Sequence, residues 1–468
     1  VTLAQHYREV TVDLDPKRWE GSVSGGPMYY IERGLGPKFG RLAKYLAVFF
    51  ASALMLTAFL TGNGVQANTV ADIVQTTFGV PTWITGLVTA AIVAAVILGG
   101  IQRIGRVTGI LAPLMALIYV GGALVVLLRF YDQVIPTFGL ILREAFNPTA
   151  GIAGVGMGTF IATMMWGVRR GLFSNEAGQG SAPIAHAAAK TDEPVSEGVV
   201  ALLEPFIDTI LICSMTGLVI LITGVWTERV PTRITLGGGD ISYVQEGVRE
   251  GALITSAPPS EIVVVSGVPQ AAEGGRVLAW HEVKIEEFFI DAQMTQPFTG
   301  TIYPTRGLAE DPTGVVYSGL FGAAVESGAP LTQLAFSRGL PGNWGGIIVI
   351  LSVLLFAVST AIAWSYYGDR CAYYLFGAKA VLPYKMVFVG MHFFGAVSSL
   401  AFIWTLGDVA LGAVTFPNLL ALILLSGTVA ALSKSYFERR PWVQNAEDHR
   451  RAVERERAER MERKEPRP

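Results

Sequence analysis

The chain has 468 residues, of which 51% are hydrophobic and only 15% are charged. A soluble domain carries about 25% charged residues, so this composition excludes an ordinary soluble protein. The formal net charge of −2 excludes a nucleic-acid partner. The two cysteines, Cys213 and Cys371, lie in apolar segments and match neither a disulfide framework nor a metal-ligand pattern.

Eight apolar stretches are long enough to cross a bilayer, which takes roughly 20 mostly apolar residues. In chain order they are residues 43–61, 82–101, 107–128, 152–168, 198–224, 345–367, 384–404 and 407–433. The stretch 134–146 is too short to span and predicts a helix at the membrane interface. The expected fold is therefore an all-α polytopic membrane protein.

Lysine and arginine predict the orientation, because cytoplasmic loops carry an excess of both. They concentrate in five segments, which are 1–44, 102–106, 169–190, 368–385 and the tail after 434. With all five on the cytoplasmic side, Arg169 and Arg170 included, the eight spans alternate without conflict. We expect a multi-pass protein of the plasma membrane with a cytoplasmic C-terminus.

The chain divides into four parts. They are a membrane core at 1–224, an insertion at 225–344, the second part of the core at 345–434 and a charged tail at 435–468. The insertion contains short β-branched runs bounded by Gly, Pro or Ser, which predict a small, mostly β extracellular subdomain. A partly ordered insertion with no function of its own is the alternative. The Arg- and Glu-rich tail is typical of a solvated helix.

The most informative polar run is Gly-Leu-Phe-Ser-Asn-Glu-Ala-Gly-Gln-Gly-Ser, Gly171–Ser181, which interrupts an otherwise apolar region. In hydrocarbon, unpaired backbone groups cost several kcal/mol each, so a break survives only where protein buries it or a wet cavity lies beside it. In secondary transporters, substrate and coupling ion bind at such breaks. Freed N–H groups favour a carboxylate and freed C=O groups a cation, so a zwitterionic amino acid with Na⁺ matches both ends.

Side chains of this run are candidates for substrate contact. Phe173 is expected to wall the site, and Ser174 and Asn175 to supply polar contacts. Glu176 is expected to act as a capping or gating carboxylate more than as a cation ligand. Gln66, in the polar run after the first span, either caps a helix end or hydrogen-bonds a substrate.

Two further pairs of polar residues lie in apolar spans. The hydroxyls of Ser359 and Thr360 either back-bond to a carbonyl one turn earlier or supply oxygen ligands to Na⁺, a hard cation. Glu204 and Asp208, one turn apart, mark a functional site by default. Their alternative is a hydrated pairing with Arg169 or Arg170.

Four stretches together resemble the alanine or glycine:cation symporter family, also called the sodium:alanine symporters. They are Gly25–Gly36, Gly62–Thr69, Gly171–Ser181 with its continuation to Cys213, and Phe356–Gly377. The Ser-Asn-Glu-Ala-Gly-Gln-Gly-Ser and Trp-Ser-Tyr-Tyr-Gly runs are specific, not generic membrane patterns. The resemblance covers essentially all of the membrane part.

The resemblance implies a LeuT-like architecture of two inverted five-helix repeats, in which 152–189 is the broken helix that opens the second repeat. It also implies that the substrate is a small neutral amino acid, chiefly alanine or glycine. By the same likeness, substrate contacts and Na⁺ ligands are assigned position by position. The substrate contacts would be Gln66, Gly171, Phe173, Ser174 and Asn175, and the Na⁺ ligands Ser359 and Thr360.

Two features depart from the family's pattern. The glycine- and threonine-rich broken helix near the N-terminus, and the helix after it, are missing from this sequence, and 225–344 is longer than the family's usual outer loop. Residues 1–13 also read as the end of a helix. We therefore expect an N-terminally incomplete piece of a LeuT-like transporter.

The expected function is symport of alanine or glycine with Na⁺ by alternating access, with H⁺ as the other candidate ion. The alternative is a transporter-like sensor or assembly subunit that uses the insertion as a binding module. A channel would need a continuous polar stripe or a charged ring, and an enzyme a nucleophile, base or metal cluster; the sequence indicates neither. Substrate identity, ion and oligomeric state stay open.

Overall fold

The computed structural model describes residues 1–10, 23–146, 156–174, 176–237, 240–246, 253–256, 260–270, 276–280 and 283–444. The described chain is mostly helical. The first part contains α1 Thr2–His6, β1 Glu9–Val10, β2 Val23–Ser24, α2 Pro27–Phe39, α3 Arg41–Phe59, a π-helical turn Leu60–Gly64, α4 Val65–Phe78, α5 Thr82–Ile97, α6 Gly100–Arg129 and α7 Tyr131–Phe146.

The middle of the chain is made of shorter helices. They are α8 Gly156–Ser174, α9 Glu176–Gln179, α10 Ala182–His186, α11 Pro194–Val200, α12 Leu203–Pro205, a π-helix Phe206–Cys213, α13 Ser214–Thr223 and a 3₁₀ turn Val225–Thr227. After the strands described below, the chain returns to long helices. They are α14 Gly328–Gly339, α15 Trp344–Phe376, a 3₁₀ turn Ala378–Ala380, α16 Val381–Val397, α17 Leu400–Leu424 and α18 Ser426–Arg439.

Within the described residues, six helical stretches are long and apolar enough to cross a membrane, which confirms a polytopic membrane protein. They are Arg41–Phe78, Arg103–Arg129, Pro194–Thr223, Trp344–Phe376, Ala378–Val397 and Phe402–Leu424. The predicted span 82–101 is an apolar helix of 16 residues, α5, which is shorter than this length criterion. The predicted span 152–168 falls partly outside the described residues, and α8 continues past its end to Ser174.

Two predicted span boundaries are wrong. The first span does not end at 61, because α3, the π-helical turn and α4 form one continuous stretch to Phe78. The turn between the last two spans lies at Ser398–Ser399, inside the predicted span 384–404. The amide of Asn68 donates to two carbonyls at this turn, Gly395 O at 3.2 Å and Ser398 O at 2.8 Å. Hydropathy does not reveal the turn, because the hydrogen bonds come from a residue that is distant in sequence.

In the described parts of the chain between Val230 and Ala324, eleven strands form three antiparallel sheets. We call this part of the chain the strand segment. Their bounds are β3 Val230–Ile234, β4 Ile241–Glu246, β5 Leu253–Ser256, β6 Ile262–Val265, β7 Val268–Pro269, β8 Arg276–Trp280, β9 Val283–Lys284, β10 Gly300–Tyr303, β11 Leu308–Glu310, β12 Val316–Tyr317 and β13 Leu320–Ala324. The sheet orders are β12-β11-β10-β6-β7, β5-β4-β8-β9 and β13-β3.

The pairing of β3 with β13 explains how the strand segment fits into a helical protein. The first residue of β3, Val230, lies opposite the last residue of β13, Ala324, so the chain leaves and returns at the same place. Helices α13 and α14 can therefore pack on each other across the segment. The aromatic side chains of Phe288 and Phe298 are completely buried in the segment's own apolar core.

Helix α3 lies at the centre of the membrane part. Its small residues Ala47, Ala51 and Ala58 are fully buried, and the helix packs against α2, α15 and α17. Small side chains let helix backbones approach closely, which is a main source of packing energy where lipid offers no hydrophobic driving force. This packing holds the π-helical turn at the C-terminal end of α3 in the middle of the bundle.

The π-helical turn Leu60–Gly64 is in close contact with α16. A Cβ atom added at Gly395 would lie 2.3 Å from the Cα atom of Gly64, so the two backbones touch there. Asn63 donates to the carbonyl of Phe388 at 2.7 Å, and its Oδ1 atom lies 2.6 Å from Nδ1 of His392. Asn63 therefore bonds the turn to α16, and Thr61, which donates to the carbonyl of Gly407 at 2.9 Å, bonds it to α17.

We expect Gly395→Ala to destabilise the protein, because the added methyl group overlaps backbone atoms that cannot rotate away. Overpacking of this kind costs about 1–3 kcal/mol. Gly390→Ala on the same helix is the control, since nothing lies within 4 Å of an added Cβ there, and alanine favours the helix by up to about 1 kcal/mol. Thermal unfolding of the two variants in detergent measures the difference; equal midpoints would contradict the close contact.

Candidate functional site

The interruption of the broken helix lies later than the sequence suggests. Gly171, Phe173 and Ser174 belong to the regular helix α8, so the prediction that the chain uncoils from Gly171 onward is wrong. Asn175 lies outside the described residues. After the short helix α9, the chain turns at Gly180, whose φ of +87° favours glycine, and then enters α10.

The side chain of Asn418 bonds the backbone at this interruption. Its amide donates to the carbonyls of Ala177 and Gly178, at 3.2 and 2.8 Å. Tyr30 on α2 donates in turn to the Oδ1 atom of Asn418, which is completely buried on α17. The carbonyl groups of α9 therefore have a partner from a helix more than 200 positions away in sequence.

Glu176, at the start of α9, faces α15. Ser181 donates to its carboxylate at 2.9 Å, and the polar groups of Tyr367 and Trp364 approach the same carboxylate. The same tryptophan packs on the π-helical turn, since a Cβ atom at Gly62 would lie 2.2 Å from its ring. Glu176 thus connects the interrupted helix with α15, and Trp364 connects α15 with the π-helical turn.

Phe173 stacks on Trp404 of α17, with 5.3 Å between ring centroids and 23° between ring planes. Arg170, one turn earlier on α8, is bonded to both carboxylate oxygens of Asp408 at 2.7 and 2.8 Å. The Arg170 guanidinium also lies 4.8 Å from the centroid of the Trp404 ring. An ion pair and an aromatic stack therefore join α8 to α17 side by side.

The position of Arg169 and Arg170 corrects the prediction of a loop at this segment. Both arginines lie on α8 and line a cavity together with Thr69 of α4 and residues of the strand segment. The prediction placed Arg169 and Arg170 in a loop, which is wrong, because both lie within α8. Because Asp408 neutralises Arg170, a charge inside a helix bundle was mistaken for a loop signal.

Ser174 donates its hydroxyl proton to Asp208, on the π-helix Phe206–Cys213. Arg170, one of the two arginines that were expected as partners of Asp208, is bonded to Asp408. Ser174 is nevertheless partly exposed, so its oxygen can still accept a hydrogen bond from a solute. The pair brings α8 and the π-helix together next to the interruption.

Gln66 and Ser359 occupy different surroundings. The Gln66 amide donates to the carbonyl of Thr61 at 3.4 Å, inside the π-helical turn. The Ser359 hydroxyl donates to the carbonyl of Phe356 at 3.0 Å and lies 3.6 Å from the sulfur of Met115 on α6. The alternative in which Ser359 bonds a carbonyl one turn earlier is therefore present in the structure. Thr360, beside it, is partly buried.

The structure brings some of the candidate residues together and not others. Phe173 packs with Trp404 against an apolar cluster that includes Leu60 and Val65, so α8 meets the helix stretch that carries Gln66. Ser359 instead faces Met115 on α6. Asp408, Trp404 and Asn418 were not predicted. The signal was available for two of them, because a carboxylate or an amide inside an apolar span is costly and needs a partner.

A cavity of about 780 Å³ lies beside the Arg170–Asp408 pair. Its walls come from the outer parts of α4, α8 and α17 and from the strand segment, and Trp404 is shared between the cavity and the stack with Phe173. Within the described residues, no group of three or more His, Cys, Asp or Glu side chains is arranged to hold a metal ion. The cavity and the interruption both lie beside α8 and α17.

A family model described as the sodium:alanine symporter family matches residues 1–249 and 286–450. The chain belongs to the sodium:alanine symporter family. This confirms the resemblance drawn from the sequence motifs, and it makes the protein a membrane transporter. Residues 250–285, between the two matched ranges, lie within the strand segment, so this family member carries a part that the family model does not describe.

Relatives with names extend over most of the chain. A sodium/alanine symporter, AgcS, from Methanococcus maripaludis is 38% identical over 93% of this chain and 73% of its own length. A putative sodium/proton-dependent alanine carrier, YrbD, from Bacillus subtilis is 28% identical over 93% and 70%. A probable sodium/glutamine symporter, GlnT, from the same organism is 27% identical over 93% and 67%.

We expect Asn418→Ala to destabilise this symporter-family protein. The change removes the partner of two backbone carbonyls and of the Tyr30 hydroxyl, and each buried group left unsatisfied costs about 1–3 kcal/mol. Asn343→Ala is the control, because Asn343 is exposed at the start of α15. Thermal unfolding in detergent compares the two variants; a midpoint for Asn418→Ala equal to that of the control would show that the carbonyls do not depend on the amide.

Proposed function

We propose that the protein is a symporter that moves a small neutral amino acid together with Na⁺ by alternating access. The observation that carries the proposal is the interruption between α9 and α10 in a member of a symporter family. Interrupted helices expose main-chain groups that bind small ions and zwitterions. The names of the relatives, two of which specify alanine, support the choice of substrate.

The substrate site lies between α8, the π-helical turn and α17. Phe173 and Trp404 form its apolar wall, Ser174 offers a hydroxyl oxygen, and Gln66 reaches from α4. Gly171 lies one turn before Ser174 on α8, with nothing within 4 Å of an added Cβ atom, which leaves room for solute. Asn175 completes the set as a sequence-based assignment. Because the bulky rings of Phe173 and Trp404 border this site, we expect it to accept a substrate with a small side chain.

The cation site includes Ser359 and Thr360. A hydroxyl that donates its proton to the carbonyl of Phe356 keeps its lone pairs free for a cation. The sulfur of Met115, however, is a poor partner for a hard cation. The remaining oxygen ligands therefore come from other elements of the protein.

Opening and closing involve the contacts between α8 and α17. The Arg170–Asp408 pair and the Phe173–Trp404 stack lie between the cavity and the interruption. Separation of α8 from α17 would open a path from the cavity to the site, and closure would seal it. Differential affinity of cation and substrate for the two states is the coupling energy. The overall architecture is LeuT-like in this proposal.

The C-terminus lies on the cytoplasmic side of the plasma membrane in this proposal. Arg439 at the end of α18 forms two hydrogen bonds with the carboxylate of Glu193, at 2.6 and 2.9 Å. This pair places the end of α18 beside the loop that carries Lys190. Arg439 holds the pKa of Glu193 below its usual value, so the pair stays charged at neutral pH. Basic residues clustered in this way favour the cytoplasmic face.

Uptake into proteoliposomes tests the transport proposal. Inward movement of one Na⁺ gains about 2.3 kcal/mol per 100 mV, which corresponds to roughly fiftyfold accumulation of a neutral solute. We expect an imposed Na⁺ gradient to drive uphill uptake of labelled alanine, with an H⁺ gradient as the parallel arm. Alanine uptake that ignores both gradients would refute symport, and uptake driven by H⁺ alone would replace Na⁺ as the coupling ion.

Alanine substitutions at Ser359 and Thr360 test the cation site. Loss of one oxygen ligand is expected to raise the Na⁺ concentration for half-maximal uptake about tenfold, equivalent to about 1.4 kcal/mol. Ser352→Ala is the matched control, because Ser352 is a fully buried serine seven positions earlier on the same helix. Identical Na⁺ dependence in all three variants would remove these hydroxyls from the site.

A further inference from the structure

The strand segment contributes directly to the large cavity. Arg233 and Thr235 at β3, Asp240 before β4 and Trp280 on β8 all line it. On the other side lie residues of α4, α8 and α17, among them Asp72 and Asp408. A part of the chain that includes a stretch outside the family model therefore walls the same space as the transport helices.

The strand segment rests closely on the helices at this point. A Cβ atom added at Gly237, just after β3, would lie 3.4 Å from the Cβ atom of Ser399 at the start of α17. Arg233 is near Asp72 of α4: burial lowers the pKa of the Arg233 guanidinium, and the Asp72 carboxylate opposes that shift. Charge and packing both hold the segment against the membrane part.

Hydrogen bonds hold the carboxylate of Asp240 in place. The indole Nε1 of Trp280 donates to Oγ1 of Thr235 at 3.1 Å, and the Thr235 hydroxyl donates to Oδ2 of Asp240 at 2.8 Å. Asp240 is only 2% exposed. Arg233 lies two positions before Thr235. The Arg233 guanidinium and the Asp240 carboxylate therefore belong to the same wall of the cavity.

The lining carries charges of both signs. Three guanidinium groups and four carboxylates face the cavity, and Trp280, Trp404 and Leu400 supply apolar surface. Such a mixture is unfavourable for an ion of one sign and suitable for a zwitterion, because each end of the solute meets an opposite charge. The cavity of about 780 Å³ has the size of a ligand site, and a small amino acid fits together with water.

We propose that the strand segment and the membrane helices form an outer binding site for a small zwitterionic amino acid, in which Arg233 attracts the carboxylate and Asp240 the ammonium group. The inference rests on the proposed transport function and deepens it, since the site would concentrate substrate beside the Arg170–Asp408 pair. Trp404 connects the outer site to the stack with Phe173.

Transport kinetics in proteoliposomes test the role of Arg233. We expect Arg233→Gln to raise the KM for alanine about five- to tenfold, with kcat within twofold of the original, and Arg233→Lys to restore most of the loss. Arg229→Gln is the matched control, because Arg229 directly precedes the strand segment, pairs with the exposed Glu286 and is not among the residues that line the cavity. A KM for Arg233→Gln equal to that of the control would overturn the proposal.

Thiol labelling tests binding without relying on transport. In a Cys213→Ser background, where the buried Cys371 is the remaining native thiol, a Ser242→Cys variant on β4, in the wall of the cavity, is labelled with a charged methanethiosulfonate. We expect alanine to slow labelling at least threefold, and acetate or methylamine, each carrying one of its charges, to have little effect. An unchanged labelling rate with alanine would refute the outer site even if uptake is normal. Slower labelling in a protein that takes up no alanine would refute only the transport proposal.

A designed crosslink tests whether the strand segment is docked as described. In the Cys213→Ser background, the pair Gly237→Cys and Ser399→Cys places two Cβ atoms at a separation close to that of a disulfide, about 3.5–4.5 Å. We expect rapid disulfide formation under mild oxidation in membranes, with each single variant as control. If the pair does not crosslink, the segment does not form the cavity wall and the outer site falls.

Discussion

The fold depends on one constraint: backbone groups at helix interruptions inside hydrocarbon must find partners from other parts of the chain. In water an interrupted helix is cheap, but in a bilayer each unpaired group costs several kcal/mol. Here Asn418 bonds the carbonyls after α8, and Asn68 bonds those at the turn after α16. At both breaks, an amide side chain from another helix bonds the carbonyls.

This constraint also joins the scaffold to the function. The helix that provides Asn418 also provides Trp404 and Asp408, which contact α8. Any movement between α8 and α17 therefore acts on the interruption and on the entrance beside it. A symporter needs such a connection, because binding at one place must change access at another. The strand segment meets α8 and α17 at the same location, since it borders the cavity beside Asp408.

Particular residues show how much of the structure could be predicted from the sequence. Hydropathy predicted a polytopic membrane protein, and the motifs around Gly171–Ser181 and Trp364–Gly368 identified the family. The predicted position of the break was wrong, because the glycine-rich polar run begins at Gly171, whereas the turn lies at Gly180. Arg169 and Arg170 were assigned to a loop, because the sequence alone does not show that a distant carboxylate neutralises Arg170.

The sequence by itself determined the membrane environment, the existence of most helices and the family, because hydropathy and motif content are local and additive along the chain. Only the tertiary structure decided where the helix is interrupted, which acid pairs with Arg170 and what closes the large cavity. The physical reason is distance in sequence. Tyr30 and Asn418 are separated by 388 positions, and Arg170 and Asp408 by 238, so their pairing follows from how the helices pack.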